Sequence, residues 1–203
     1  FNPDHGSNTG ALMRNPGSAD GTLHLLNDMD LSGNGIAGVR RFEVNASIAV
    51  LAGDLRNSQA GVNPIGLLKR GAGTLVLAGS NTYDGGTTID NGALVVGGGG
   101  TTGTLPAGGV TNNSALAFNR SDTLAIASPI SGAGTVAQIG SGVTTLTAAN
   151  DYTGPTVISN GTLRIHGTHS GGGLITVAGG TLGGPGSVAA ATTVEAAGTL
   201  GPG

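Results

Sequence analysis

The stretch N-T-Y-D-G-G-T-T-I-D-N-G-A-L, residues 81–94, decides how this chain is read. A close copy, N-D-Y-T-G-P-T-V-I-S-N-G-T-L, occupies residues 150–163. Residues 71–96 lie on residues 140–165 at an offset of 69 without a gap. Identical pairs are Gly71/Gly140, Gly73/Gly142, Leu77/Leu146, Asn81/Asn150, Tyr83/Tyr152, Gly85/Gly154, Thr87/Thr156, Ile89/Ile158, Asn91/Asn160, Gly92/Gly161 and Leu94/Leu163. From Gly71 to Asn91 the odd-numbered matches fall on one alternating set, which is the period of a β-strand. The inward set is expected to be Leu77, Tyr83, Thr87 and Ile89, or a subset of these. The outward set drifts between copies, Asp84 becoming Thr153 and Asp90 becoming Ser159.

Composition supports the same reading. The chain has 203 residues, of which 41 are glycine, 9% are charged and 2% aromatic. An average domain is about 25% charged, with glycine near 7%. The hydrophobic 37% is mostly Ala, Val, Leu and Ile, which suits a thin core of small aliphatic side chains. Glycine and β-branched residues recur too often for helix. Short strands are expected at 41–44, 47–51, 74–78, 87–89, 93–96, 115–118, 123–127, 144–147, 156–158, 162–165, 174–177 and 192–195, with Gly and Asn-Gly turns between them. Hairpins and a solenoid both fit such spacing. The solenoid is favoured because each interior position is roofed by its equivalent in the next coil. A coil of about 20–25 residues makes 69 residues three coils of about 23. About nine coils at ~4.8 Å each then give a rod of roughly 40–45 Å.

Net charge is −3 and no basic patch is present, so a nucleic-acid partner is not expected. No apolar run reaches the roughly 18 residues of a membrane helix. The absence of cysteine removes disulfides and thiol chemistry, and fits a cytosolic protein as well as one that crosses an oxidising periplasm. The chain opens at Phe1 without a signal peptide, and it is expected to be a processed piece or an excerpt of something longer.

The run Leu68-Lys69-Arg70-Gly71-Ala72-Gly73-Thr74-Leu75 leads into Asn81-Thr82-Tyr83-Asp84-Gly85-Gly86-Thr87-Thr88-Ile89 and then Gly92-Ala93-Leu94-Val95-Val96. This resembles the passenger-associated transport repeat of bacterial autotransporters. The second copy matches at Asn150, Tyr152, Gly154, Thr156, Ile158, Gly161 and Leu163, but lacks the leading Lys-x-Gly. The resemblance covers about residues 68–203, and residues 1–66 match only in style. It implies an all-β chain folded as a right-handed parallel β-helix carried to the surface of a Gram-negative bacterium. It also implies a C-terminal outer-membrane β-barrel as partner, outside this chain. One solenoid over 1–203 is expected, with weaker repeats in 1–67, clear repeats in 68–96 and 140–165, and C-terminal coils in 166–203.

Other motifs are weighed against plainer readings. His166-Gly-Thr-His169-Ser-Gly-Gly resembles the segment around the catalytic His of subtilisin-like proteases. No matching serine motif or orienting Asp strand accompanies it, so a polar turn is expected. Adventitious metal binding by the two histidines is the remaining option. Asp28-x-Asp30-x-Ser32-Gly33 opens like a calcium loop, yet Val39 stands where a bidentate Glu is required. Gly98-x-Gly100-x-x-Gly103 fits the dinucleotide pattern only formally, with no βαβ unit around it. Asn81 and Asn150 are read as structural, in polar ladders or turn bonds, and Tyr83 and Tyr152 as packing residues. Sequons at Asn45, Asn112, Asn119 and Asn160 are frequent by chance in so Asn- and Thr-rich a chain. No catalytic residue, metal site or cofactor is expected. The expected function is a structural, secretion-supporting stalk of a surface adhesin. A host or neighbouring-cell surface ligand would meet loops 14–21, 53–63 or 97–103, and self-association is a further option. The rival readings are a scaffold for a protease or lipase domain outside this chain, and a self-assembling fibre subunit.

Overall fold

A strand that alternates apolar and polar residues can bury one face only, so a chain of such strands must wrap around a shared interior. The computed structural model describes residues 22–32 and 37–202. Loop 14–21 and Gly33, singled out above, lie outside the described residues. Among the described residues there are 23 strands and no helix, and every strand pairing is parallel. The fold is a parallel β-solenoid with three faces.

The first face is a nine-stranded sheet. Its strands are Leu23–Leu25, Ile48–Leu51, Thr74–Leu77, Ala93–Val96, Ala115–Phe118, Thr135–Gln138, Thr156–Ile158, Ile175–Val177 and Thr192–Val194. The second face begins with Met29–Asp30 on Leu55–Arg56 and ends in a five-stranded sheet from Thr123–Ile126 to Thr199–Leu200. Between these parts it continues through single bonds, such as Thr82 N to Leu55 O at 2.8 Å. The third face holds five strands from Gly38–Glu43 to Ile130–Ser131. It passes through the Asn150–His169 bridge to Thr168–His169 and Ser187–Val188. The nine rungs of the first face answer to the about nine coils expected, but fewer turns are regular on all three faces.

Inward residues form columns. On the first face Leu51, Leu77, Val96, Phe118, Gln138, Ile158 and Val177 lie over one another, all buried. Leu75, Leu94, Leu116 and Val136 form the adjacent column. Leu77, Tyr83, Thr87 and Ile89 all point inward and are buried. Leu146, the match of Leu77 in the second copy, is buried as well, but it does not join the Leu77 column. It stands on the second face, between Ile126 in the coil before and Ile165 in the coil after.

The coil length differs from the expected one. First-face register steps are 26 residues from Leu23 to Ala49 and 26 from Ile48 to Thr74. They then shorten to 19 (Thr74 to Ala93), 22 (Ala93 to Ala115), 20 (Ala115 to Thr135), 20 (Val136 to Thr156) and 19 (Thr156 to Ile175). Sixty-nine residues therefore exceed three turns. Thr74 returns to the first face at Thr135 after three turns, and the equivalent Val143 lies eight residues further, on the second face. The two copies are thus displaced by three turns and one face, and each face of the second copy takes the position that follows in the winding. This displacement is what separates Leu146 from Leu77.

The extra residues of the long second coil form a protrusion at 57–63. Asp84 fastens it, accepting from Asn57 Nδ2 at 2.6 Å, Gly61 N at 2.8 Å and Ile65 N at 3.1 Å. These bonds, that from Asn57 first, hold the Asp84 carboxyl down at about 2. Thr153 replaces Asp84 in the second copy, where the coil is short and carries no such protrusion. The other drifting position is similar. Asp90 pairs with Arg70 at 3.0 Å, and both partners change in the second copy, to Ser159 and Ile139.

Inward and outward positions should respond differently to truncation. Leu94→Ala removes a fully buried side chain and is expected to cost about 2–5 kcal/mol, while Thr145→Ala, on the outward side, stays within about 0.5 kcal/mol. Urea unfolding followed by circular dichroism measures both.

Candidate functional site: the repeated corner

The matched positions converge on one structural device, built once in each copy. It spans the corner before a strand, the strand, the next corner and the strand beyond. In the first copy it runs from the first face across the second and third and back to the first. In the second copy it runs from the second face across the third and first and back to the second. Leu77 and Leu146 open it, each the last residue of the strand that enters the corner and each buried.

Asn81 and Asn150 sit buried in the corner. Asn81 Oδ1 accepts from Leu55 N at 3.0 Å, in the previous coil, while its Nδ2 donates to Gly79 O at 3.1 Å. Asn150 Oδ1 accepts from Ile130 N at 3.0 Å, and its Nδ2 donates to Ala148 O at 2.9 Å. A side-chain amide suits the position because it offers an acceptor and a donor together. Two residues on, Tyr83 shares a hydrogen bond of 2.7 Å with Thr87, and Tyr152 shares one of 2.7 Å with Thr156. Both rings are buried, and burial pushes both phenols above their ordinary pKa. The hydroxyl pair lets a large ring lie in the core without a stranded polar atom. Ile89 and Ile158 follow in the core, then Leu94 and Leu163.

The glycines answer to close approach. Gly92 and Gly161 have φ of +69° and +58°, and the N–H of each donates to the preceding asparagine, to Asn91 Oδ1 at 2.7 Å and to Asn160 Oδ1 at 2.8 Å. A Cβ at Gly92 would run into the carbonyl oxygens of Gly71 and Gly73. One at Gly161 would run into those of Gly140 and Gly142. Gly85 and Gly154 lie against the backbone of the previous coil, at Ile65–Gly66 and Gly134. These positions belong to corners and core columns, and two of them, Thr87 and Asn150, also border a groove on the third face.

The sequence reading missed a pair that completes the device. Lys69 is fully buried, and its Nζ donates to the carbonyls of Arg70 (2.9 Å), Gly71 (2.7 Å) and Asn91 (3.0 Å). Its equivalent at the offset of 69 is Gln138, also buried, whose Nε2 donates to Gly140 O at 2.8 Å. The second copy does lack the lysine, but a long neutral donor takes over its part. Burial brings the Lys69 pKa down to about 8.

The weaker motifs resolve into local structure. His169 is not in a polar turn. It lies in the strand Thr168–His169, 1% exposed, with its ring stacked on Tyr152 at 4.2 Å. Neither ring nitrogen makes a hydrogen bond of good geometry, and burial holds its pKa below the ordinary histidine value. His166 is exposed, so the two histidines do not face one partner. The turn reading failed because the third face becomes irregular after Ile130–Ser131, so no strand was expected there. Asp28 pairs with Arg56 and accepts from Asp54 N, and Asp30 caps Ser32 N and Ser58 N. Among the described residues no cluster of three or more His, Asp or Glu could hold a metal ion. The glycine run 97–103 is stapled by Arg120, which donates to the carbonyls of Gly103 and Thr101 while paired with Asp122. Of the sequon asparagines, Asn112 is fully buried. A shallow groove of about 520 Å³ on the third face is lined by Thr88, Thr111, Ser131, Asp151 and Ser170 among others, and the Ser131 and Ser170 hydroxyls donate to the carbonyls of Val110 and Asn150, each at 3.3 Å.

The comparisons with known proteins agree with this geometry. Residues 67–96 and 136–165 match the family model of the passenger-associated-transport-repeat. The adhesin BmaC autotransporter of Brucella suis biovar 1 (strain 1330) is 46% identical over 90 residues, which cover 44% of this chain and 3% of that relative. No solved structure gives a significant match. The molecule is a parallel β-solenoid whose corners repeat. Two stretches of the chain, one in each copy, are thus similar to the passenger-associated transport repeat, and the relative that shares them is an autotransporter.

Two substitutions test the device. Lys69→Gln, the solution of the second copy, should hold stability within about 1 kcal/mol. Lys69→Met leaves three carbonyls without that donor and should cost about 1–3 kcal/mol. The Lys69 pKa of about 8 lies below the 10.5 of an ordinary lysine, so the unfolded chain binds more protons between those values. Wild type is therefore expected to gain stability relative to Lys69→Gln as pH rises from 7 to 10, read by denaturant unfolding at both ends. His169 has a lowered pKa as well, so its neutral form favours the fold. Stability should fall as pH drops below about 6.5, and His169→Leu should flatten that fall in the same unfolding assay.

Proposed function

We propose that this chain is a non-enzymatic β-helical stalk in the passenger of a surface adhesin, secreted by a Gram-negative bacterium. One observation carries the reading. The groups that both copies share, from the buried amides to the Tyr–Thr pairs, are all consumed in closing corners and columns, which leaves them no free chemistry. The matched relative is named an adhesin and autotransporter, which supports the same class. The partner is an outer-membrane β-barrel on the same polypeptide. The described residues, 22–32 and 37–202, then belong to one solenoid, with the repeat positions as its structural framework.

Secretion would use the geometry directly. Each coil pairs with the one about 20 residues before it and buries its core only against its neighbours, so coils can be added one at a time outside the membrane, each templated by the last. Ligand contact falls to the fastened loops. The 57–63 protrusion is held by Asp84 and the 97–103 loop by Arg120, so each is already ordered when a partner arrives.

The test is made on the native polypeptide from the cells that produce it. Its mass is expected to be far above that of these 203 residues, with a barrel-forming sequence after them, and protease added to intact cells should release peptides of this stretch. A polypeptide no longer than this chain, or one shielded from external protease, overturns the reading.

A further inference from the structure

The stalk reading leaves one surface of the solenoid without a role. The outward column of the first face is, coil by coil, His24, Val50, Val76, Val95, Ala117, Ala137, Val157, Thr176 and Thr193, apolar over the six coils from Val50 to Val157. A second outward column beside it runs from Ile48 through Thr74, Ala93, Ala115 and Thr135. Pro155 and Leu174 extend it, their carbonyls accepting from Val136 N and Thr156 N. Ile48 and Leu174 are 43% and 46% exposed. From Ile48–Leu51 to Thr192–Val194, none of these strands carries an Asp, Glu, Lys or Arg. The other faces differ. The third carries Arg41, Glu43 and Arg70 on its strands, and the second carries Arg56 and Arg164. Charge is absent from one face of three, although the same alternation builds them all.

We propose that the first face docks a second copy of this chain, face against face, with the two solenoids side by side. Three observations choose that occupant. The first is area. Strands of three or four residues span ~10–13 Å and nine of them stack over ~43 Å, so the face covers about 500 Å² and a pair of faces about 1,000 Å² in all. That is the size of the largest patches of ordinary monomers and reaches the roughly 1,000 Å² of a specific interface, at its weak end. The second is spacing. Two copies share one inter-coil distance, so rows of Val and Ala on one can settle between rows on the other over the six coils from Val50 to Val157, as in sheet-on-sheet packing. A globular partner would match that corrugation only locally. The third is charge: the face bears none, so identical faces meet without repulsion, and the chain's net charge of −3 opposes approach little. The interface goes beyond the stalk reading and does not depend on it.

The experiment is sedimentation velocity on the full chain over a wide concentration range. The wild type is expected to pass from monomer to dimer with a midpoint in the roughly micromolar range. Val76→Asp with Val95→Asp should raise that midpoint by at least about tenfold. Val76→Thr with Val95→Thr, which keeps the β-branched shape, should raise it less, and unfolding curves show that each variant still folds. Thr88→Asp with Thr111→Asp, on the third face, should leave the midpoint unchanged. A wild type that stays monomeric throughout overturns the proposal, as does equal loss of association in the third-face variant. So does association that survives on the first-face variants but vanishes with Val194→Asp and Leu200→Asp, because it then runs end to end through the last coil.

Discussion

Parallel stacking at the inter-strand distance is the constraint on which the rest of this structure depends. Once coils lie ~4.8 Å apart, every residue has its equivalent directly above and below, and the chain must be correct column by column. Inward columns accept only groups that pack against their own kind, which is why Leu, Ile and Val fill them and why the two tyrosines need hydroxyl partners. Corners are harder, because the backbone turns there and leaves N–H and C=O groups without ladder partners. The side chains of Asn81, Asn150, Lys69 and Gln138 supply those partners, and the glycines let one corner lie on the next.

The copies fall on different faces of the solenoid, which identifies the unit that is repeated. A device tied to one face would recur after a whole number of turns. This one recurs after three turns and one face, and makes the same contacts from the new position. Leu77 packs in a first-face column and Leu146 in a second-face one, yet both meet aliphatic neighbours above and below. The device is therefore a property of a stretch of chain, a corner–strand–corner–strand module, and a three-sided solenoid offers it three equivalent settings. Where the surroundings differ, the module yields at its outward positions. Asp84 exists for a protrusion that only the longer coil has, and Asp90 stands with Arg70 or gives way together with it.

The sequence showed the architecture because the repeat and the two-residue period are local properties. All twelve strands it suggested are present, with ends shifted by up to three residues, the largest shift being at 41–44, which is Gly38–Glu43. It was blind to strands such as Met29–Asp30, Ile130–Ser131 and Ser187–Val188, which are two residues long and hold only because a neighbouring coil pairs with them. It also missed Ile65–Arg70, whose lysine reads as a surface charge until the three carbonyls around it are seen. His169 deceived in the opposite direction. Its polar neighbours suggest a turn, while its burial follows from the position of Tyr152 in the coil below, which no local pattern encodes. The coil length was misjudged for the same reason: an offset between copies gives the repeat of the chain, and only the pairing register gives the repeat of the turn.

The charged residues show how far this economy extends. The described ion pairs are Arg41–Glu43, Arg56–Asp28, Arg70–Asp90 and Arg120–Asp122. Exposed pairs of this kind contribute little to stability, on the order of 0–1 kcal/mol each. Three of the four involve a residue that also fastens backbone at a corner or carries the drift between copies, so their value is positional. Arg120 makes this plain: it is nearly covered, and it joins Asp122 in its own turn to two carbonyls of the glycine loop in the coil before. A solenoid with so few charges can place each where a turn must be held. In doing so it leaves eight successive strands of the first face, from Ile48–Leu51 to Thr192–Val194, without an Asp, Glu, Lys or Arg.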